Sequence, residues 1–189
     1  MCQKQTISTK RTVLAALMAA LTIVGSAIRV TMPIDIAGTT SFHLGNIMCA
    51  LSGILLGPWL GGLAAGLGSF LYDMTNPLYV SEAWITFLTK GIYGLFPGLV
   101  MLLWKGTWGY IKAGIAASAG ALAYAAAYLA KTYYWSGIFK QGLAPQAALL
   151  TVFSKIPATV FNAAVAIIFA PMLAIAIRKA LEKNHLTLN

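Results

Sequence analysis

The apolar positions of this chain do not alternate with polar ones. They run in long blocks broken by short polar, glycine- and proline-bearing stretches. Blocks of that length are the signature of helices that meet lipid on one side and protein on the other. The pattern predicts helices over 12–30, 44–56, 60–72, 85–104, 111–130 and 147–177. The fold class expected is all-α: one membrane domain spanning 1–189, built as a compact bundle of six transmembrane helices. The second and third blocks have about 13 residues each, roughly 20 Å of helix against a hydrocarbon core near 30 Å. Either the Gly57-Pro58-Trp59 turn lies partly within the membrane, shielded by protein, or helicity continues through Leu44 and Asp73.

Composition sharpens that reading. Hydrophobic residues make up 59% of the chain and charged residues only 9%, where a soluble domain carries about one-quarter charged residues. The net charge of +9 raises the question of nucleic acid, but the cations form no stripe or patch. Lys4, Lys10 and Arg11 precede the first block, Lys105 and Lys112 flank a mid-chain turn, and Arg178, Lys179 and Lys183 follow the last block. These are the places where the positive-inside rule puts them, and six crossings would leave both termini in the cytoplasm. The first block has the basic start of a signal peptide, and Gly25-Ser26-Ala27 resembles a cleavage site, but further apolar blocks follow. It is read as a retained helix.

The outer face then receives three connections. One, from Thr31 to His43, contains Pro33, Asp35 and Gly38. The next, from Asp73 to Trp84, contains Asn76, Pro77, Tyr79 and Glu82. The last, from Lys131 to Gln146, contains Tyr133, Tyr134, Trp135 and Gln141. Three of the four acidic residues, Asp35, Asp73 and Glu82, lie here. Capture of a solute from outside fits these connections; interfacial aromatics and solvated turns fit them also.

Several polar residues stand out within or beside apolar blocks. Lys90 is about 7 Å inside the fourth block, a depth from which snorkelling to the headgroups is the preferred reading. Lys155 is about 12 Å inside the sixth, followed by Pro157 and Asn162, and a polar cavity is preferred there. His43 and Asn46 are spaced to share a face if the helix begins before His43. Both offer donors and acceptors for an uncharged heteroaromatic ring or hydroxyls, and both suit helix capping equally. Asp73, Asn76 and Glu82 are candidate ligand contacts, turn caps or partners of Lys90. Tyr79 and Trp84 suit stacking on a flat ligand or marking the lipid interface.

Other chemistry finds little footing. Cys2 and Cys49 have no metal-ligand spacing, and no disulfide between them is expected; no metal or other cofactor is implied. His43 and His185 fall on opposite sides. Ser41, His43 and Asp73 share a side, but nothing marks Ser41 as activated. There is no phosphate-binding GxxxxGK[ST] stretch, so ATP dependence would belong to a partner. Enzymatic activity is not expected. A channel would want a charged ring or carbonyl filter, and a secondary transporter would want internal repeats. Neither is evident.

Seven glycines fall between Gly45 and Gly68, with Gly53, Gly57 and Gly61 spaced by four and Gly62 and Gly66 likewise. Ala15, Ala16, Ala19 and Ala20 form two overlapping AxxxA pairs. Small residues at that spacing permit close helix approach, within a bundle or against another membrane protein.

Together these stretches resemble a known family. RTVLAALMAALTIVGSAIRV, HLGNIMCALSGILLGPWLGGLAAGLGSFLYDMTNP and ITFLTKGIYGLFPGL are similar to runs in the substrate-binding S component of energy-coupling factor (ECF) vitamin transporters. The resemblance covers nearly the whole chain. It implies a six-helix bundle in the bacterial cytoplasmic membrane, with a water-soluble vitamin or precursor held near the outer surface under the outer connections. It also implies docking of Ala15–Ala19 or Ala16–Ala20 onto a coupling transmembrane subunit. Two cytoplasmic ATPase subunits would drive the import, with the S component toppling in the bilayer to release its cargo. The HLGN…YD…NP pattern is similar to the branch that carries riboflavin, hydroxymethylpyrimidine and pyridoxine, and the two smaller rings are favoured for His43, Asn46, Tyr79, Trp84, Lys90 and Asn162. The alternatives that stand beside this are a riboflavin carrier and a membrane assembly subunit without a ligand.

Overall fold

The computed structural model describes residues 9–31 and 41–184. Pro33, Asp35, Gly38, Cys2, Lys4 and His185, singled out above, lie outside the described residues. Among the described residues six α-helices form the fold: α1 Thr9–Ala27, α2 Gly45–Leu56, α3 Pro58–Met74, α4 Ala83–Leu103, α5 Tyr110–Lys131 and α6 Pro145–Lys183. Four helical stretches, α1, α4 with its preceding turn, α5 with its extension, and α6, are long and apolar enough to cross a membrane. α2 and α3 have 12 and 17 residues, about 18 Å and 25 Å of helix.

Helix ends shift by up to six residues from the sequence reading, α6 running to Lys183 rather than 177, and three departures have a physical reason. First, α1 stops at Ala27 rather than Val30. Arg29–Thr31 becomes strand β1 and pairs antiparallel with β2, Ser41–His43, in the register Arg29 to His43, Val30 to Phe42 and Thr31 to Ser41. Strands of three residues are too short for a period of two to register against an apolar background. Second, most of the stretch taken as the last outer connection is helical: α5 widens directly into a π-helix over Thr132–Lys140, whose tyrosines, tryptophan and lysine read as a loop by composition alone. Third, α3 runs two residues beyond the predicted 72, whereas α2 begins only at Gly45. His43 therefore belongs to a strand, not to the helix of Asn46.

Gly57 joins α2 to α3 with φ of 81°, a conformation that a side chain would strain. Pro58 follows at the first position of α3, where its missing N–H costs nothing. The end of α2 is not left bare: the Arg11 guanidinium donates to the Leu56 carbonyl oxygen at 2.8 Å. At this same end Lys112 donates to the Trp104 carbonyl, and Arg178 lies 4.5 Å from the centre of the Trp108 ring. Arg11, Lys112 and Arg178 thus collect around one end of the bundle.

The core is made of close backbones more than of large side chains. Met18, Leu51, Leu56 and Tyr93 are fully buried, but α5 and α6 contribute alanines: Ala113, Ala116 and Ala117 against Ala166, Ala170 and Ala174. Glycine takes α2, α3 and α4 closer still. A β-carbon on Gly53 would lie 2.1 Å from the Gly94 carbonyl oxygen, and one on Gly61 would lie 2.5 Å from the Gly53 α-carbon. The alanine pairs of α1 split: Ala15 and Ala19 pack against the core, whereas Ala16 and Ala20 face outward beside Val13, Leu17 and Val24.

Gly53→Ala is expected to cost about 1–3 kcal/mol, because the clash is with backbone that cannot rotate away. Gly114 meets nothing within 4 Å of its missing β-carbon, so Gly114→Ala should be neutral or stabilising by up to about 1 kcal/mol. Thermal unfolding of the detergent-solubilised protein checks both; equal midpoints for the two variants would refute the packing argument.

Candidate functional site

A cavity of about 370 Å³ opens at the end of the bundle opposite Arg11. Its floor is polar. The Lys90 ammonium donates to the Asn46 side-chain oxygen and lies 4.2 Å from the centre of the Tyr124 ring. Lys90 is thus turned into the bundle and only 5% exposed. This corrects the expectation that it snorkels. The amide of Asn46 and the electron-rich ring faces offer it more than the headgroup region would. Tyr124 in turn stacks between Tyr93, at 5.0 Å, and Tyr128, at 5.6 Å.

The walls come from both ends of the chain. The Arg29 guanidinium, at the start of β1, lies over the rings of Tyr72 and Tyr79 at 5.0 Å and 4.6 Å. Asp73 closes the end of α3 and is buried. On the far side, α6 supplies Lys155, Thr159 and Asn162. Asn162 is a staple: its side-chain oxygen accepts from the His43 backbone N–H at 3.1 Å, and its amide donates to the Ser41 carbonyl at 3.0 Å. Phe42 and Phe161 add an edge-to-face contact at 4.5 Å. Strand β2 is therefore fixed to α6 across 119 residues of sequence.

The mouth is bridged by Glu82, in a 3₁₀ turn at Val80–Glu82. Its carboxylate receives Lys131, Lys140 at 3.1 Å, and the Ser136 hydroxyl at 3.5 Å. Two cations from α5 and its π-helical extension are thus held on one carboxylate ahead of α4. Lys140 also donates to Ser81 at 3.1 Å.

Of the residues singled out from the sequence, His43, Asn46, Asp73, Tyr79, Glu82 and Lys90 line this cavity, as do Lys155 and Asn162. Two do not. Asn76 caps its own turn, accepting from the Leu78 backbone N–H at 3.0 Å. Trp84 faces outward, half exposed, edge-on to Trp135 at 5.2 Å. Both placements fit the chemistry of their positions: short polar side chains in turns favour local hydrogen bonds, and tryptophan favours the interface. The sequence reading passed over Arg29, Tyr124 and Tyr128 as binding candidates. The first had a signal, a cation inside an apolar run, and the two tyrosines had another, an i,i+4 pair in an alanine-rich helix. Among the described residues no group of three or more His, Cys, Asp or Glu could hold a metal ion.

His43 projects into the cavity wall with its Nδ1 buried and lacking a hydrogen-bond partner among the described residues. Burial first, then the charges of Lys90 and Arg29, hold its pKa well below the ordinary 6.5. The folded protein keeps it neutral, while the unfolded chain takes up a proton near pH 6.5. Its stabilising contribution is therefore complete above that pH and is lost as pH falls below it, by about 1 kcal/mol per pH unit. Melting temperatures measured from pH 8 down to pH 5 should fall more steeply in the wild type than in His43→Gln. Parallel profiles would contradict the assignment.

Comparison with known proteins bears on what such a cavity is for. A curated protein of Pyrococcus woesei, described as an uncharacterized protein in gap 3'region, is 30% identical over 118 residues, covering 62% of this chain and 74% of the relative. The family model described as "ECF-type riboflavin transporter, S component" matches residues 6–179. S components are membrane-embedded, substrate-binding subunits of transporters and not enzymes. With nearly its whole length matched, and with its polar cavity framed by apolar helices, this chain belongs to the ECF-type riboflavin transporter S component family.

Proposed function

We propose that this S component captures a small water-soluble vitamin or vitamin precursor with a flat heteroaromatic ring and presents it for ATP-driven import. The observation that carries the reading is the cavity itself. Tyrosine faces from α5 and from the turn after α3 border it together with the donors and acceptors of His43, Asn46 and Lys90. Flat apolar surfaces with a few convergent polar groups are what orient a ring compound and satisfy its heteroatoms. About 370 Å³ is at the lower end of the range for small-molecule sites. The family description makes riboflavin the first ligand to test. Hydroxymethylpyrimidine and pyridoxine, favoured by ring size in the sequence reading, follow. Asp73, Glu82, Lys155 and Asn162 are further proposed contacts or supports of the ligand.

In this reading all six helices embed in the membrane, the cavity faces outward, and both termini are cytoplasmic. The cations gathered around Arg11, Lys112 and Arg178 support that orientation. The outward pair Ala16 and Ala20 is the proposed docking face for a coupling transmembrane subunit, which two cytoplasmic ATPases would drive; Ala15 and Ala19 set the packing behind it. The exposed alanine pair also supports a second reading, an assembly subunit without its own ligand.

One experiment separates the two. Purified protein is titrated with a vitamin panel by calorimetry, and the double variant Ala16→Leu, Ala20→Leu is tested for binding and for uptake in cells. Capture predicts binding of at least one vitamin, retained within about twofold in the variant, with uptake reduced by about tenfold or more as docking is blocked. Absence of binding to every vitamin in the panel would sink the capture reading.

A further inference from the structure

The π-helical segment Thr132–Lys140 is nine residues long. Most π geometry in proteins is a single wide turn inside an α-helix, often at a functional site. Five residues at or beside this segment line the cavity: Lys131, Thr132, Ser136, Lys140 and Gln141. They fall at 131/132, 136 and 140/141, a repeat of four to five residues. That is the period of a π-helix, about 4.4 residues per turn, against about 3.6 in an α-helix.

The same geometry makes the clasp at the mouth. Lys131 and Lys140 both donate to the Glu82 carboxylate, and the Ser136 hydroxyl donates to it at 3.5 Å. The two lysines are nine residues apart. Nine residues make about two and a half turns of α-helix, which would set the lysines on opposite faces, but about two turns of π-helix, which set them on one. Glu82 stands on the 3₁₀ turn before α4, so this support comes from across the mouth and not from within the segment. An exposed single ion pair contributes little, but one carboxylate shared by two cations and a hydroxyl, with the Glu82 and Lys131 side chains only 18% and 17% exposed, is a small shielded network.

An α-helix over these residues would present a different rim. In phase with Lys131 and Thr132 would come Trp135 and Phe139, which now stack on each other at 4.9 Å off the cavity lining. Lys140 and Gln141 would turn away. We propose that Glu82 is a positioning residue that selects the π register of Thr132–Lys140. Without its charge the segment rewinds to an α-helix, drawing Lys140 and Gln141 off the cavity and swinging Trp135 and Phe139 onto it. The register stands on the geometry alone, and its consequence for binding rests on the capture reading above.

Paired spin labels test the register in the full-length chain in lipid nanodiscs, with Cys2 and Cys49 replaced by serine. One label is on Leu78→Cys, an exposed residue of the cavity lining, and the other on Phe139→Cys or Gln141→Cys. Pulsed electron paramagnetic resonance reads the two distances. In Glu82→Gln the distance from 78 to 139 should shorten and that from 78 to 141 should lengthen, each by about 5 Å, the radius of a helix with its side chains. Simple loosening of the segment would broaden both distributions without shifts of opposite sign. The charge-inverted variant Glu82→Lys, Lys131→Glu, Lys140→Glu should restore both distances. Lys140→Gln, at the more exposed end of the clasp, should shift them in the same directions and keeps the test valid if Glu82→Gln does not fold. Riboflavin, titrated into the unlabelled chain, should bind Glu82→Gln about fivefold more weakly or worse, as polar rim groups are lost. Distances that stay in place in both variants, or that shift with the same sign, would overturn the proposal and assign the register to the packing of Gly137 on Ala148 of α6, leaving vitamin capture intact. Shifted distances with unchanged riboflavin affinity would overturn the consequence for binding. Shifted distances in a chain that binds no riboflavin would support the register and count against capture of that vitamin.

Discussion

Gly53 and Gly94 bring α2 and α4 so near that no β-carbon fits between the Gly53 backbone and the Gly94 carbonyl oxygen. Gly61 does the same for α3 against α2, and Gly98 brings α4 onto the backbone at Pro58. In a bilayer, apolar side chains gain little by leaving lipid for protein, so helix association must draw on close van der Waals contact. Three helices that touch backbone to backbone form a narrow wedge. Around it α5 and α6 contribute buried alanines, and α1 contributes Met18, Thr22 and Gly25. The shortness of α2 belongs to this arrangement too: a helix of 12 residues does not cross the hydrocarbon unaided, and every residue from Ile47 to Leu56 except Met48 and Leu55 is buried.

From that wedge the cavity follows. Asn46 stands in the first turn of α2 and Lys90 in the second turn of α4, and the close approach of the two helices lets one side chain reach the other. Around this floor the rim is assembled by two ties of different character. Asn162 holds β2 by neutral hydrogen bonds to backbone, and Glu82 holds the π-helical segment by ion pairs. The first is indifferent to salt and specific in register. The second is partly exposed and weakens with screening. One side of the rim is therefore sewn and the other is clasped.

The bundle was legible in the sequence because membrane helices announce themselves by long apolar blocks, and the glycine ladder by its spacing. The site was legible where a polar residue interrupts such a block: Asn46, Lys90, Lys155 and Asn162 all stand against an apolar background. It was not legible where the site borrows residues that are ordinary in their setting. Tyr124 and Tyr128 look like filler in an alanine-rich helix until Lys90 is seen over one of them. Arg29 was visible as a cation inside an apolar run, but a strand of three residues leaves no periodicity to show where it would face. Asn76 and Trp84 carried the opposite ambiguity, since turn chemistry and interfacial preference select the same residue types as ligand binding does.

Arg29 is two residues beyond the end of α1, and Ala16 and Ala20 are on the outward face of the same helix. The guanidinium is clamped by the rings of Tyr72 and Tyr79 and hydrogen-bonded back to Ser26, so there is little slack between strand and helix. From Ala16 to the last residue of α1 is about 17 Å of rigid helix. The cavity wall at Arg29 and the outward alanines of α1 thus belong to one short stretch of chain, held at its outer end by aromatic faces and a backbone hydrogen bond.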